Sequence, residues 1–174
     1  MPTGHILSPN GGAIWRYEGV IRKAILALKY KFASDIANEL ALLASQQIVN
    51  FTLYIENCVL VPIPLHSKRQ RWRGFNQSEE LGKRIAKQLS VDYKELLVRV
   101  VNTPPQVSLR KAERLRNTRG IFAVNEEDTK ILRYKDTKII LFDDVWTTGS
   151  TLNEAARVLK KVGFRKVIAL AIAK

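Results

Sequence analysis

The sequence has one cysteine, Cys58, which rules out an internal disulfide and any zinc site built on several thiolates. Cys58 opens an apolar run, so it reads as a buried core thiol rather than a reactive one. No stretch approaches the roughly 18 consecutive apolar residues of a membrane-spanning helix. The first ten residues lack the basic start and apolar run of a secretory signal, so a cytoplasmic protein is expected. Two common phosphate loops are also missing. No Lys follows Gly149 as a GxxxxGK[ST] loop requires, and no GxGxxG dinucleotide fingerprint occurs.

The 174 residues suffice for one domain with a sizeable core, and an apolar content of 46% is ordinary for a globular chain. Charge is the unusual feature. Lys and Arg total 29 against 16 Asp and Glu, a formal net charge of +13, which favours polyanionic partners such as phosphate-rich substrates or nucleic acid. Simple solubility is the bland alternative. Clustering argues against it: basic residues concentrate in Lys68-Arg69-Gln70-Arg71-Trp72-Arg73 and again over residues 110–119.

Residues 1–13 read as a loose arm. Apolar spacing predicts helices over 18–31, 34–50, 75–90 and 150–162. Short apolar runs predict strands over 58–64, 96–101, 121–124, 138–142 and 166–172. Residues 65–73 read as a basic loop. Residues 102–120 read as a long loop, a length that is usually functional or disordered in a compact domain. Strands alternating with helices imply an α/β fold, a mostly parallel five-stranded sheet covered on both faces. The expected division is an N-terminal arm and helical hood over residues 1–50 and a core over residues 51–174, within one compact domain.

The most informative segment is Ile139-Ile140-Leu141-Phe142-Asp143-Asp144-Val145-Trp146-Thr147-Thr148-Gly149-Ser150-Thr151. It reads as a buried strand, an acidic pair, a hydroxyl-rich turn and a helix start. Ligands in open α/β sheets sit outside the carboxyl ends of the strands. A helix N-terminus offers unpaired N–H groups and partial positive charge to a phosphate, and Gly149 lets the backbone come close. Asp143 and Asp144 can accept hydrogen bonds from the vicinal hydroxyls of a ribose. A helix merely capped by Thr148 or Ser150 is the alternative, but it leaves the acidic pair unexplained.

This segment resembles the thirteen-residue signature of type I phosphoribosyltransferases. The resemblance implies that Asp143 and Asp144 bind the ribose hydroxyls and that Val145 and the turn Thr147, Thr148, Gly149, Ser150 and Thr151 bind the 5-phosphate. Further motifs resemble the ComF family of competence-associated phosphoribosyltransferase-like proteins: Val61-Pro62-Ile63-Pro64-Leu65-His66, Arg71-Trp72-Arg73-Gly74-Phe75-Asn76-Gln77, residues 106–122, and Tyr17-Glu18-Gly19 with Leu28-Lys29-Tyr30. The resemblance covers roughly residues 17–174 and implies a type I phosphoribosyltransferase fold. ComF proteins commonly open with a cysteine-rich zinc ribbon. It has no counterpart here, so no zinc is expected. Purine-salvage members place a carboxylate where this chain has Thr147, which argues against a purine acceptor.

By the same resemblance, Leu65, His66, Ser67, Lys68 and Arg69 lie near the diphosphate of phosphoribosyl pyrophosphate. Residues 102–120 correspond to a loop that closes over the site, with Arg110, Lys111 and Arg114 as candidate cations for the leaving group. Arg114, with Asn117, fits the family pattern best. His66 is a weaker candidate for acid–base work, since a lone His at a strand end is more often structural. Mg²⁺ is expected with the substrate, near Asp143 and Asp144, rather than on protein ligands. Two functions follow as expectations. One is an enzyme that moves ribose 5-phosphate to a nitrogen nucleophile. The other is a binding module in DNA uptake that holds single-stranded DNA on Arg71, Trp72, Arg73, Arg110 and Lys111. Base stacking on an aromatic such as Trp72, beside a basic groove, supports the second. A DNA-uptake helicase and a homodimer are the expected protein partners.

Overall fold

The computed structural model describes residues 6–8, 11–31, 34–50, 57–102, 119–125 and 136–174. Its centre is a six-stranded sheet in the order β1-β2-β8-β7-β3-β4. The strands are β1 (Ile6–Ser8), β2 (Gly11–Trp15), β3 (Cys58–Pro62), β4 (Asp92–Tyr93), β7 (Lys138–Val145) and β8 (Lys166–Ala173). From β2 to β4 all neighbours are parallel, and β1 adds an antiparallel edge. β5 (Leu97–Arg99) and β6 (Phe122–Val124) form a separate antiparallel pair.

Five strands are therefore parallel, as expected for a type I phosphoribosyltransferase fold, but two of them differ from those predicted. The runs around 97–99 and 122–124 pair with each other outside the main sheet. Their places are taken by β2, inside the segment read as a loose arm, and by the two-residue β4. β2 escapes a periodicity reading because it begins Gly11-Gly12. The structure explains that glycine: Gly11 has φ 110°, and a Cβ there would lie 1.9 Å from the Ala169 carbonyl of the neighbouring strand. The N-terminal segment thus contributes two strands, β1 and β2, to the sheet rather than standing apart from it.

Alternation along the central strands sorts the core into two layers. Leu60, Ile140, Phe142, Leu170 and Ile172 face the helices α1 (Gly19–Lys31), α2 (Ser34–Asn50) and α4 (Gln77–Leu89). Val59, Val61, Ile139 and Leu141 face the helix α5 (Ser150–Lys161) and the β5–β6 pair. Both faces are dry, which is why these strands read as continuous apolar runs rather than alternating ones.

One further difference bears on function. Residues 67–73, expected to lie in a loop, form the helix α3 (Ser67–Arg73). His66 caps it: its Nδ1 accepts a hydrogen bond from the Lys68 amide at 3.2 Å. Gly74, with φ 81°, ends it in the left-handed conformation. Seven residues are too few for a periodic apolar stripe, and α3 buries no side chain, so hydrophobic patterning carries no sign of it.

Candidate functional site

The site is built at the carboxyl ends of β7 and β3. In register, Val61 pairs with Leu141 and Pro62 with Phe142, and the Ile63 amide donates to the Phe142 carbonyl at 2.9 Å. The segment leaving β3 therefore runs beside the acid pair leaving β7. Asn76 locks this geometry. It is 2% exposed, its Oδ1 accepts from the Ser78 amide to cap α4, and its Nδ2 donates to the Ile63 carbonyl at 3.0 Å. Glu79 and Glu80 in the first turn of α4 suit the positive helix end.

The two acids are held differently. Asp143 Oδ1 accepts from the Ser78 hydroxyl at 2.8 Å and from the Asp144 amide at 2.9 Å. Burial first, and the Asp144 carboxylate second, push Asp143 up to about 7, against these hydrogen bonds and the charge of Lys29. Asp144 is 8% exposed and forms an ion pair with Lys29 of α1, Nζ to Oδ2, at 2.7 Å. Burial pulls the Lys29 ammonium down. The charge and hydrogen bond of Asp144, with Asp143 behind it, outweigh this and leave it above its ordinary value.

After the acids, the chain turns through Thr147 and Thr148 into α5. Gly149 stands at the N-cap with φ 77°, and no side chain caps the helix from that position. A Cβ on Gly149 would lie 2.8 Å from the Trp146 indole nitrogen, so both the dihedral and the space require glycine. The Thr148 and Ser150 hydroxyls lie 3.0 Å apart. Thr148 Oγ1 accepts from the Ser150 amide at a long 3.4 Å, and a glycine N-cap with two adjacent hydroxyls is suited to a phosphate. Trp146 is fixed by its amide, which donates to the Ala173 carbonyl at 2.8 Å, and by Lys174, whose ammonium lies 5.7 Å from the ring centre.

Two adjoining clefts share these residues. The larger, about 530 Å³, is lined by Asp143, Asp144, Val145, Thr147, Gly149 and Thr151 on the β7–α5 side. Tyr17, Arg22, Leu26 and Lys29 line it on the side of α1. The smaller, about 210 Å³, lies toward β3 and takes in Leu65, Arg69, Arg73, Gln77, Arg99 and the same acids. Its cations crowd one another. Burial first, then the charge of Arg69, lowers Arg99, while burial and then Arg73 lower Arg69. Arg73 Nη1 donates to Gln77 Oε1 at 2.9 Å, whereas Gln77 Nε2 is buried with no partner among the described residues. A cleft with three arginines and a spare amide donor is suited to a multiply charged anion.

The candidate residues thus divide. Asp143, Asp144 and Val145 stand at the end of β7, and Thr147, Thr148, Gly149, Ser150 and Thr151 in the turn and first residues of α5. Leu65 and Arg69 line the smaller cleft, while His66 serves α3 as its cap and Ser67 and Lys68 are exposed on that helix. Arg73, expected on a nucleic-acid surface, lines both clefts. Arg71 and Trp72 are exposed, Trp72 at 78%. Arg110, Lys111, Arg114 and Asn117 lie outside the described residues. Lys29, Gln77, Ser78 and Arg99 were missed as site residues. Lys29 and Gln77 stand inside motifs that mark the family resemblance, which was the available signal. Arg99 had none, since a basic residue in a short strand looks like any surface charge.

Among the described residues no group of three or more His, Cys, Asp and Glu is placed to hold a metal. A hard cation at this acid pair would therefore draw most of its oxygens from a ligand, a pattern that suits Mg²⁺.

Several known proteins resemble this chain. Residues 76–174 match the Phosphoribosyl transferase domain. Competence protein F of Haemophilus influenzae is 31% identical over 62% of this chain and 46% of its own length. Competence protein ComFC of Bacillus subtilis is 33% identical over 91% of this chain and 61% of its own length. DNA utilization protein YhgH of Salmonella typhi is 29% identical over 94% of this chain and 76% of its own length. The chain thus spans about half to three-fifths of the first two relatives. A solved structure of the allosteric regulatory enzyme of purine biosynthesis aligns with 78% of this chain and 25% of its own, at 13% identity and a TM-score of 0.47.

Proposed function

The chain belongs to the phosphoribosyl transferase domain family, as a member of its ComF branch, and from that membership we propose that it binds phosphoribosyl pyrophosphate with Mg²⁺ and transfers ribose 5-phosphate to a nitrogen nucleophile. The observation that carries this reading is the acid pair at the end of β7 followed at once by the open N-terminus of α5, with an arginine-lined cleft alongside. The 5-phosphate sits on the first turn of α5, held by the Thr148 and Ser150 hydroxyls and backbone N–H groups. Asp143 and Asp144 accept hydrogen bonds from the ribose hydroxyls. Arg69, Arg73 and Arg99 receive the diphosphate and stabilise the charge that grows on it as the anomeric C–O bond breaks. Asp143 and Asp144 would lie beside a bound Mg²⁺, which would supply charge neutralisation to the leaving group.

Calorimetry with phosphoribosyl pyrophosphate and Mg²⁺ tests the reading. Binding is expected, with loss of at least tenfold in affinity in Asp143→Ala/Asp144→Ala. Absent binding, or binding indifferent to that change, would falsify it.

A second reading has its own observation. Trp72 is 78% exposed on α3, flanked by Lys68 and Arg71, which are exposed too. An exposed indole among cations is suited to stacking with a base of single-stranded DNA. The names of the relatives, competence and DNA utilization proteins, favour a role beside DNA. Binding of a labelled oligonucleotide should weaken steeply with salt. It should fall in Trp72→Ala with the fold intact; no binding at low salt removes this reading.

A further inference from the structure

Given transfer from phosphoribosyl pyrophosphate, the pocket leaves one wall without a role. The α5 turn takes the 5-phosphate, the acid pair takes the ribose, and the arginine cleft toward β3 takes the leaving diphosphate. The incoming nucleophile must reach the anomeric carbon from the remaining side of the larger cleft, where Tyr17, Arg22, Leu26 and Trp146 stand. Arg22, Leu26 and Lys29 are spaced at i, i+4 and i+7 on α1, so one stripe of that helix faces the cleft.

The chemistry of this wall is specific. Two aromatic rings, Tyr17 and Trp146, border it. Lys29 is committed to Asp144. Arg22 is exposed, and its guanidinium makes no ion pair with any described residue. Among the described residues, no carboxylate other than the ribose-binding pair lines the cleft, and the Thr147 side chain supplies only a hydroxyl. A neutral purine presents N–H donors that the side chains of this wall answer only with hydroxyls, and it carries no anionic group for Arg22. An aromatic carboxylate satisfies it better, with its ring beside Tyr17 and Trp146 and its carboxylate on the guanidinium fork of Arg22.

We infer that the acceptor is a planar aromatic or heteroaromatic acid with a nucleophilic nitrogen, recognised through its carboxylate by Arg22. This rests on the transferase reading above. In the step itself the nitrogen lone pair forms the new C–N bond at the anomeric carbon. The C–O bond to pyrophosphate breaks, and its electron pair leaves with pyrophosphate. Any proton on the attacking nitrogen passes to water.

The test separates this inference from the reading beneath it. Pyrophosphate release is measured with phosphoribosyl pyrophosphate, Mg²⁺ and, in turn, orotate, nicotinate, anthranilate, adenine and guanine. Calorimetric titration of the same compounds into the full chain reads the pocket without turnover. The expected result is binding of at least one acid and of neither purine. Arg22→Ala should then weaken that acid at least tenfold in KM or Kd, with kcat within threefold and the affinity for phosphoribosyl pyrophosphate within twofold. Arg22→Lys should recover part of the loss. If an acid binds through Arg22 but phosphoribosyl pyrophosphate does not bind, the transferase reading falls and the pocket assignment stands. Preference for purines, no binding of any of the acids, or acid binding indifferent to Arg22→Ala overturns the assignment whatever phosphoribosyl pyrophosphate does.

Discussion

The Lys29 ammonium lies 2.7 Å from Asp144 Oδ2, which ties the first helix of the chain to the acid pair at the end of β7. The pair is largely buried on both sides. Removing one partner leaves the other charge without compensation in a poorly solvated place. Lys29→Met should lower stability by about 3 kcal/mol, the low end for a buried pair that loses one partner. The double variant Lys29→Met/Asp144→Asn should regain at least half of that. Urea denaturation of the two variants checks this, and a loss near zero in Lys29→Met would mean that solvent already screens the pair.

Asp143 predicts a pH dependence of opposite sign to the usual carboxylate. Its folded-state value, about 7, lies above its ordinary value near 3.8, so the folded protein holds a proton that the unfolded chain releases. Stability is then favoured at the acid end of this window and falls as pH rises from about 4 to 7, with a slope of at most about 1.4 kcal/mol per pH unit. Denaturation midpoints of the ligand-free protein between pH 5 and 7 should decline, and Asp143→Asn should flatten that decline. An equal slope in the variant would assign the effect to other groups.

Gly149 should tolerate no side chain. Gly149→Ala meets the Trp146 ring and strains a left-handed dihedral, at a cost of about 1–2 kcal/mol from the backbone alone. Trimming the indole in Gly149→Ala/Trp146→Phe relieves the contact but not the dihedral. Calorimetry should therefore show at least a tenfold loss of affinity for phosphoribosyl pyrophosphate in both variants; full recovery in the double variant would mean that only the contact mattered.

Asn76 is expected to matter out of proportion to its size. Asn76→Ala removes a helix cap, worth about 1 kcal/mol, and leaves the Ile63 carbonyl without its donor. A combined loss on the order of 2–3 kcal/mol in thermal or urea unfolding is expected. Asn76→Asp keeps the capping acceptor but turns a buried oxygen toward the Ile63 carbonyl and the Glu79 carboxylate, where Asn76 Nδ2 now donates, so it should be no more stable than Asn76→Ala.

Much of this site was legible in the sequence because its chemistry is contiguous. Asp143 to Thr151 form one strand-turn-helix unit, and the acid pair, the glycine and the hydroxyls sit in reading order. The main helices were legible from apolar spacing, and β3, β7 and β8 from dry runs of β-branched residues. What escaped is what the fold assembles from afar. Lys29 reaches Asp144 from α1, Ser78 reaches Asp143 across 65 residues, and Arg99 comes from a strand outside the main sheet. No local pattern encodes such meetings. β2 escaped because its glycines answer to the close approach of β8, and α3 because it buries nothing.

The sheet order also sets how the molecule comes together. β7 and β8 are joined through α5 and can pair across a short stretch, whereas β3 must find β7 across some 80 residues, the separation of Asn57 and Thr137 at their shared edge. Closing that larger loop costs entropy before any contact repays it. The β7–α5–β8 unit is therefore expected to form early, with the acid pair and the hydroxyl turn already inside it. The arginine cleft comes later, when β3 docks on the other side of β7, and folding on the order of milliseconds to seconds follows from such non-local pairing. A destabilised β3 edge would leave a chain that still has its acid pair and hydroxyl turn but has lost the arginine cleft beside them.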